Sequence, residues 1–228
     1  MKRSLLASLT AMSGRPVLRG VVFDMDGTLT IPNLDFKEMY GRCGVDNSKD
    51  ILEEVAAMPK DQQLAANRII EEMEAEGRRT LELMPGADEV LRWLASHQIP
   101  TALVTRNTRE SANVLTGRLL SSSCQFSAII ARDDGYPPKP DPTALEAIAE
   151  QWEISLPSDC ILMVGDSVSN DIAFGRNAGV KTVLLDTGRR YQEAASGKGE
   201  QAVPDIIVDD LGSLPSLLLP KFEIHSLE

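Results

Sequence analysis

Hydrophobic and polar positions follow two different rhythms along the chain, and the change between them marks its organisation. Val21-Val22-Phe23 is a short apolar run rich in β-branched residues, which predicts a buried strand ending at Asp24. Over residues 35–40, 48–58 and 61–79 the apolar positions instead recur at helical spacing among Glu, Ala, Leu and Met. Asp46-Asn47-Ser48 and Pro59-Lys60-Asp61 read as helix starts and Gly77-Arg78-Arg79 as a helix end. No strand pattern interrupts them, so residues 33–83 are expected to form a small all-helical insertion.

After Met84-Pro85-Gly86 the rhythm alternates. Strands are predicted at residues 101–105, 128–130, 161–164, 181–185 and 205–208, with helices over 87–97, 109–120, 143–152, 171–178 and 211–219. Strand and helix alternating through short crossovers imply a parallel sheet covered on both faces. The expected fold class is therefore α/β, a doubly wound sheet built from residues 18–32 and 84–228 and interrupted by the helical segment.

Composition narrows the partners. A net charge of −11 over 228 residues argues against nucleic acid or an anionic membrane as the main target. An acidic chain still binds an anionic small molecule where a metal and a few cations concentrate positive charge. Cys43, Cys124 and Cys160 are odd in number and follow no zinc or redox spacing, as reduced thiols of a soluble intracellular protein do. No apolar run approaches membrane-spanning length. Residues 1–17 hold Lys2, Arg3, Arg15 and several serines but no acidic residue. That composition fits a mitochondrial or plastid transit peptide, and equally a disordered basic leader on a cytoplasmic protein.

In parallel sheets ligands sit beyond the carboxyl ends of the strands, and the polar residues that need explaining lie there. Asp24 and Asp26 close the first strand, Thr105-Arg106-Asn107 the second, and Gly165-Asp166-Ser167 the fourth, with Asn170 and Asp171 close behind. The loop after the third carries Lys139. Taken singly, each has an ordinary reading: Thr105 as a helix cap, Lys139 as a loop cation, Asp166 and Asp171 as turn and helix-end charges. A calcium loop fits less well, since its glycine comes later and it ends in a ligating glutamate, whereas position 35 is Asp. Together, the carboxylates, the lysine and the hydroxyl suit a phosphate monoester held by a divalent cation. Hard oxygen ligands favour Mg²⁺. Lys139 offsets excess negative charge, and Thr105 with the N–H groups after it would hold a phosphoryl oxygen.

These residues resemble the motifs of the haloacid dehalogenase superfamily, in its phosphatase branch. Asp24-Met25-Asp26-Gly27-Thr28 is similar to the first motif, Thr105 to the second, Lys139 to the third and Gly165-Asp166-Ser167-Val168-Ser169-Asn170-Asp171 to the fourth. The likeness runs from about residue 18 to residue 208, with a Rossmann-like core and residues 33–83 as the small helical cap. It implies that Asp24 attacks phosphorus to give an aspartyl-phosphate. Asp26 then protonates the leaving group and later deprotonates the hydrolytic water. It implies Mg²⁺ held by Asp24, the Asp26 backbone carbonyl and Asp166, with Asp171 supporting the metal or pairing with Lys139. Thr105, Arg106, Asn107 and Lys139 are the expected phosphate contacts.

The fourth motif departs from the pattern. Four residues separate Asp166 from Asp171 where many relatives have three, which makes Asn170 a rival for Asp171. Asp26 argues against dehalogenation, because halide needs no proton. Hydrolysis of a small phosphate ester is the expected activity. A phosphomutase of the same fold and a catalytically idle binding relative are the alternatives. Arg42, Arg78 and Arg79 are substrate candidates against their ordinary reading as solvated helix charges. The protein is expected to act as a monomer or weak homodimer.

Overall fold

The computed structural model describes residues 14–47, 50–119, 125–189, 191 and 202–224. Cys124, the expected helix end at residue 120 and residues 1–13 of the leader lie outside them. The chain divides into two compact units, residues 31–82 and the remainder.

The smaller unit is α1 (Phe36–Cys43), α2 (Ile51–Ala56) and α3 (Lys60–Arg79). Each of the first two starts where a carboxylate satisfies orphan N–H groups. Asp35 accepts from the Glu38 N–H at 2.9 Å, and Asp50 from the N–H groups of Leu52 and Glu53 at 3.0 and 3.3 Å. The Asp50 cap sets the start of α2 at Ile51, and residue 48, the expected start, lies outside the described residues. The apolar stripes of the three helices close on one another: Met39, Cys43, Ile51, Val55, Ala66 and Ile70 form a buried cluster of their own. Arg42 pairs with Glu72 at 3.1 Å and Arg79 with Glu76 at 2.6 Å, which fits the reading of those two as surface helix charges.

The larger unit runs β1 (Gly20–Phe23), α4 (Ala87–Ser96), β2 (Thr101–Val104), α5 (Arg109–Arg118), β3 (Ala128–Ile130), α6 (Thr143–Gln151), β4 (Ser158–Gly165), α7 (Ala173–Asn177), β5 (Val180–Leu185), β6 (Ile206–Val208) and α8 (Leu214–Leu218). Among the described residues the six strands are all parallel, in the order β3-β2-β1-β4-β5-β6. The strand residues Val22, Ala102, Val104, Ile161 and Met163 share one buried cluster with Leu145 and Ile148 of α6 and Phe174 of α7. Crossovers of a single hand send α4 and α5 to the other face, because β1→β2→β3 runs the opposite way across the sheet from β3→β4→β5. This is the doubly wound α/β fold expected from the alternation.

The start of β4 and the end of the leader differ from expectation. β4 starts at Ser158, three residues early, because its first residues are polar and partly exposed, so the apolar pattern misses them. Residues 15–17, grouped with the leader on composition, bond to the end of the core. The Arg15 guanidinium donates to the Leu219 carbonyl at 2.7 Å, and the Glu223 N–H donates to the Pro16 carbonyl at 2.9 Å. Among the described residues no helix is long and apolar enough to cross a membrane.

Candidate active site

The crossovers reverse direction between β1 and β4, and a crevice opens at such a reversal beyond the carboxyl ends of the strands. β1 and β4 pair directly, Phe23 against Val164, and the Asp24 N–H donates to the Val164 carbonyl at 2.9 Å. Asp24 and Asp166 therefore emerge side by side. After Asp24 the backbone folds on itself. The N–H groups of Thr28, Leu29 and Thr30 all donate to the Met25 carbonyl, and the Gly27 N–H donates to Thr30.

Gly27 has φ +85°, and a Cβ there would lie 2.3 Å from Asp166 Oδ2. Gly27→Ala is thus expected to strain the backbone and push Asp166 aside, at a cost of about 1–3 kcal/mol. Thermal unfolding checks it: an unchanged Tm would contradict the close approach.

Lys139 is buried to 5% exposure, and its Nζ donates to three oxygens: Asp24 Oδ1 at 2.5 Å, Asp171 Oδ1 at 2.6 Å and the Val104 carbonyl at 3.0 Å. A buried ammonium survives only if its three donors find partners, and here all three do. Burial alone would pull Lys139 down, but Asp171 and then Asp24 outweigh it and hold the ammonium above its usual range. Burial pushes the Asp24 carboxyl up to about 8 against the pull of Lys139, with Asp171 and Asp26 adding to the rise. The two directions agree physically. One cation faces several crowded carboxylates and cannot neutralise them all, so Lys139 stays charged while Asp24 remains short of positive charge.

Asp171 is 1% exposed and has both oxygens engaged, one by Lys139 and the other by the Ser167 N–H at 3.0 Å. The extra residue of this segment is taken up by a π-helical turn, Val168–Ile172, in which Ile172 donates back five residues to Ser167. That wide turn replaces the first part of the helix expected over 171–178, and it aims Asp171 at the lysine. Asn170 instead donates to Ser167 Oγ at 3.1 Å and is not the lysine's partner. Gly165 permits the approach, since a Cβ there would meet the Asp171 side chain at 2.3 Å.

The β2 tip also reaches the site. Asn107 Nδ2 donates to Asp26 Oδ2 at 3.2 Å, and buried Thr105 accepts from the Asn107 N–H at 3.0 Å. Arg106 is half-buried on the same loop. The start of α5 differs from expectation as an anion site. The N–H groups of Asn107, Thr108, Arg109 and Ser111 donate to Thr105, Asn107, Asp133 and Thr108 side chains respectively. Short polar side chains crowded at a helix start cap one another, so these donors are already engaged.

The structure thus gathers Asp24, Asp26, Thr105, Asn107, Lys139, Asp166 and Asp171 at four neighbouring strand tips. It adds a contact to which sequence reasoning gave no role: Thr28 Oγ1 donates to Asp24 Oδ2 at 3.3 Å. The signal was available in the i, i+4 spacing of Asp24 and Thr28 within one tight turn. Carboxylate oxygens of Asp24, Asp166 and Asp171 lie within 4.8 Å of one another, close enough to share one cation.

Sheet order and site together define an α/β enzyme with a lysine-braced acidic centre at its switch point. Residues 18–179 match the haloacid dehalogenase-like hydrolase family, and the chain belongs to that family. A haloacid dehalogenase-like hydrolase domain-containing protein of Arabidopsis thaliana is 38% identical, over 96% of this chain and 91% of its own. A phosphoglycolate phosphatase of Pseudomonas fluorescens is 30% identical, over 90% of this chain and 82% of its own. A magnesium-bound crystal structure of Bacillus subtilis YfnB superposes with TM-score 0.61 at 19% identity, covering 89% of this chain and 99% of that one.

Proposed function

We propose that this hydrolase cleaves a small phosphate monoester with Mg²⁺, through an aspartyl-phosphate on Asp24. The observation that carries the reading is the Lys139 ammonium braced between Asp24 and Asp171, with Asp26 and Asp166 at the adjoining turns. A hydrolase with one buried cation and four carboxylates at one crevice is built to receive further positive charge and an anionic substrate.

The residues fit a hard divalent ion: the donors are carboxylate oxygens, and positive charge is in deficit around Asp24. Asp24, Asp166 and the Asp26 backbone carbonyl would hold Mg²⁺. Asp171, grouped with them by distance, is assigned to Lys139, which holds one of its oxygens at 2.6 Å while the Ser167 N–H holds the other at 3.0 Å. When bound, Mg²⁺ supplies charge stabilisation for phosphoryl oxygens.

The chain's own residues do the rest. Lys139 and Thr28 orient the Asp24 carboxylate for attack at phosphorus. The bond from phosphorus to the ester oxygen breaks, and Asp26 gives that oxygen a proton. A water then attacks the aspartyl-phosphate, Asp26 takes its proton, and inorganic phosphate leaves with Asp24 restored. The Thr105 hydroxyl is assigned to a phosphoryl oxygen, and Arg106 to the same group. Residues 31–82 would serve as the helical cap that selects the ester. A phosphoglycolate-like substrate is the first to test, given the Pseudomonas relative.

Phosphate release is to be measured across phosphoglycolate, sugar phosphates, nucleoside monophosphates and aryl phosphates, each with Mg²⁺ and with EDTA. Release confined to the Mg²⁺ arm is expected, and Mg²⁺ at a hundred times its Kd should stabilise the fold by about 2.7 kcal/mol. Release that survives EDTA would remove the metal from the reading. Silence across the whole panel would remove hydrolysis.

A further inference from the structure

Asn107 was expected among the phosphate contacts, yet its bonds run to the protein itself. Its amide oxygen accepts from the Thr108 N–H at 2.8 Å, its own N–H donates to Thr105 Oγ1 at 3.0 Å, and its carbonyl accepts from the Arg132 N–H at 2.9 Å. Those bonds come from two loops, the β2 tip and the turn Arg132–Asp134 that follows β3. With the amide oxygen fixed on an N–H, the amide nitrogen has one direction left, and Nδ2 donates to Asp26 Oδ2 at 3.2 Å. Flipping the amide would set a donor against the Thr108 N–H and an acceptor against a carboxylate, so the orientation is determined by its partners. The contact bridges residues 81 apart in sequence, across neighbouring strand tips.

We infer that Asn107 is a positioning residue for Asp26: it holds one carboxylate oxygen so that the other exchanges a proton with the leaving group. This rests on the phosphatase reading. In the first half of the reaction the proton moves from Asp26 Oδ1 to the ester oxygen as the bond to phosphorus breaks. In the second half it returns from the attacking water. An amide is suited to the task because it orients the acid without placing a second charge beside the incoming phosphate. A held rotamer also limits the conformations over which proton transfer must wait.

The test compares Asn107→Ala and Asn107→Asp with wild type, in the full chain with Mg²⁺, on two esters. One is the alkyl phosphate that wild type turns over best, and the other is p-nitrophenyl phosphate, whose leaving group needs no proton. The readout is kcat/KM, which covers the step that expels the leaving group. For the alkyl ester a loss of about 10- to 100-fold is expected, while the aryl ester should fall by no more than about threefold. Inhibition by inorganic phosphate should be unchanged in Asn107→Ala. Asn107→Asp keeps an acceptor for the Thr108 N–H and hence the turn, so it decides the matter through the ratio of the two esters if the alanine variant fails to fold. Equal losses on both esters, or weakened phosphate inhibition in the alanine variant, would overturn the inference and return Asn107 to the phosphate site. Variants that match wild type on both esters would overturn it as well. If wild type itself releases phosphate from neither ester, the hydrolase reading falls first and this inference with it.

Discussion

Asp24→Asn is expected to abolish phosphate release while leaving the fold standing. An amide cannot attack phosphorus, so the loss should be at least about 10⁴-fold, as removal of a nucleophile in a covalent mechanism produces. The fold should survive because the substitution keeps shape and hydrogen-bonding capacity. The amide oxygen can still accept from Lys139, whose charge remains paired by Asp171 at 2.6 Å. Replacing the Asp24 carboxyl by a neutral amide also removes the cost of burying a charge there, the main cause that pushes Asp24 up. Unfolding midpoints and phosphate release separate the two effects. An inactive variant with a wild-type midpoint supports the nucleophile. An active one would transfer that role to another carboxylate, Asp26 being nearest in sequence.

The core was legible because the buried part of each strand is mostly a compact apolar run, and the strand tips carry polar residues that no packing rule requires. Asp24, Lys139 and Asp166 each have an ordinary reading alone, and pointed to a site only together, at strand ends that a parallel sheet brings to one crevice. What the chain alone left open was pairing. The choice between Asp171 and Asn170 depended on whether the extra residue after Asp166 would be absorbed in a loop or in the helix. A π-helical turn, which no periodicity of apolar residues announces over five positions, made that choice. The same limit applies at the β2 tip. Thr105, Arg106 and Asn107 read as a helix start able to bind an anion, but short polar side chains also cap their neighbours, and four N–H groups there are capped. The Asn107–Asp26 contact was invisible for a different reason: it joins two strand tips whose adjacency follows from sheet order, and sheet order is not written in any single segment.

Lys139→Met should have the largest effect on stability. The lysine is buried, and its removal leaves Asp24 and Asp171 facing each other where Nζ stood, with the Val104 carbonyl also deprived of its donor. Breaking a buried pair by deleting one partner costs about 3–5 kcal/mol, because the partner left behind is an uncompensated charge. Against a typical total of about 5–15 kcal/mol, that is a large share of the fold's stability. Activity should vanish as well, since Asp24 loses the group that orients it. A second variant separates charge from packing. Lys139→Met with Asp171→Asn removes one positive and one negative group, so it should regain much of the lost stability while remaining inactive. That is a coupling between two residues in contact, and such couplings run to about 0.5–3 kcal/mol beyond the sum of the single changes. Denaturant unfolding of wild type, both single variants and the double variant measures it. If the double variant is as unstable as the sum of the singles predicts, the lysine stabilises this crevice by filling space, and the charge balance argued for the site is wrong.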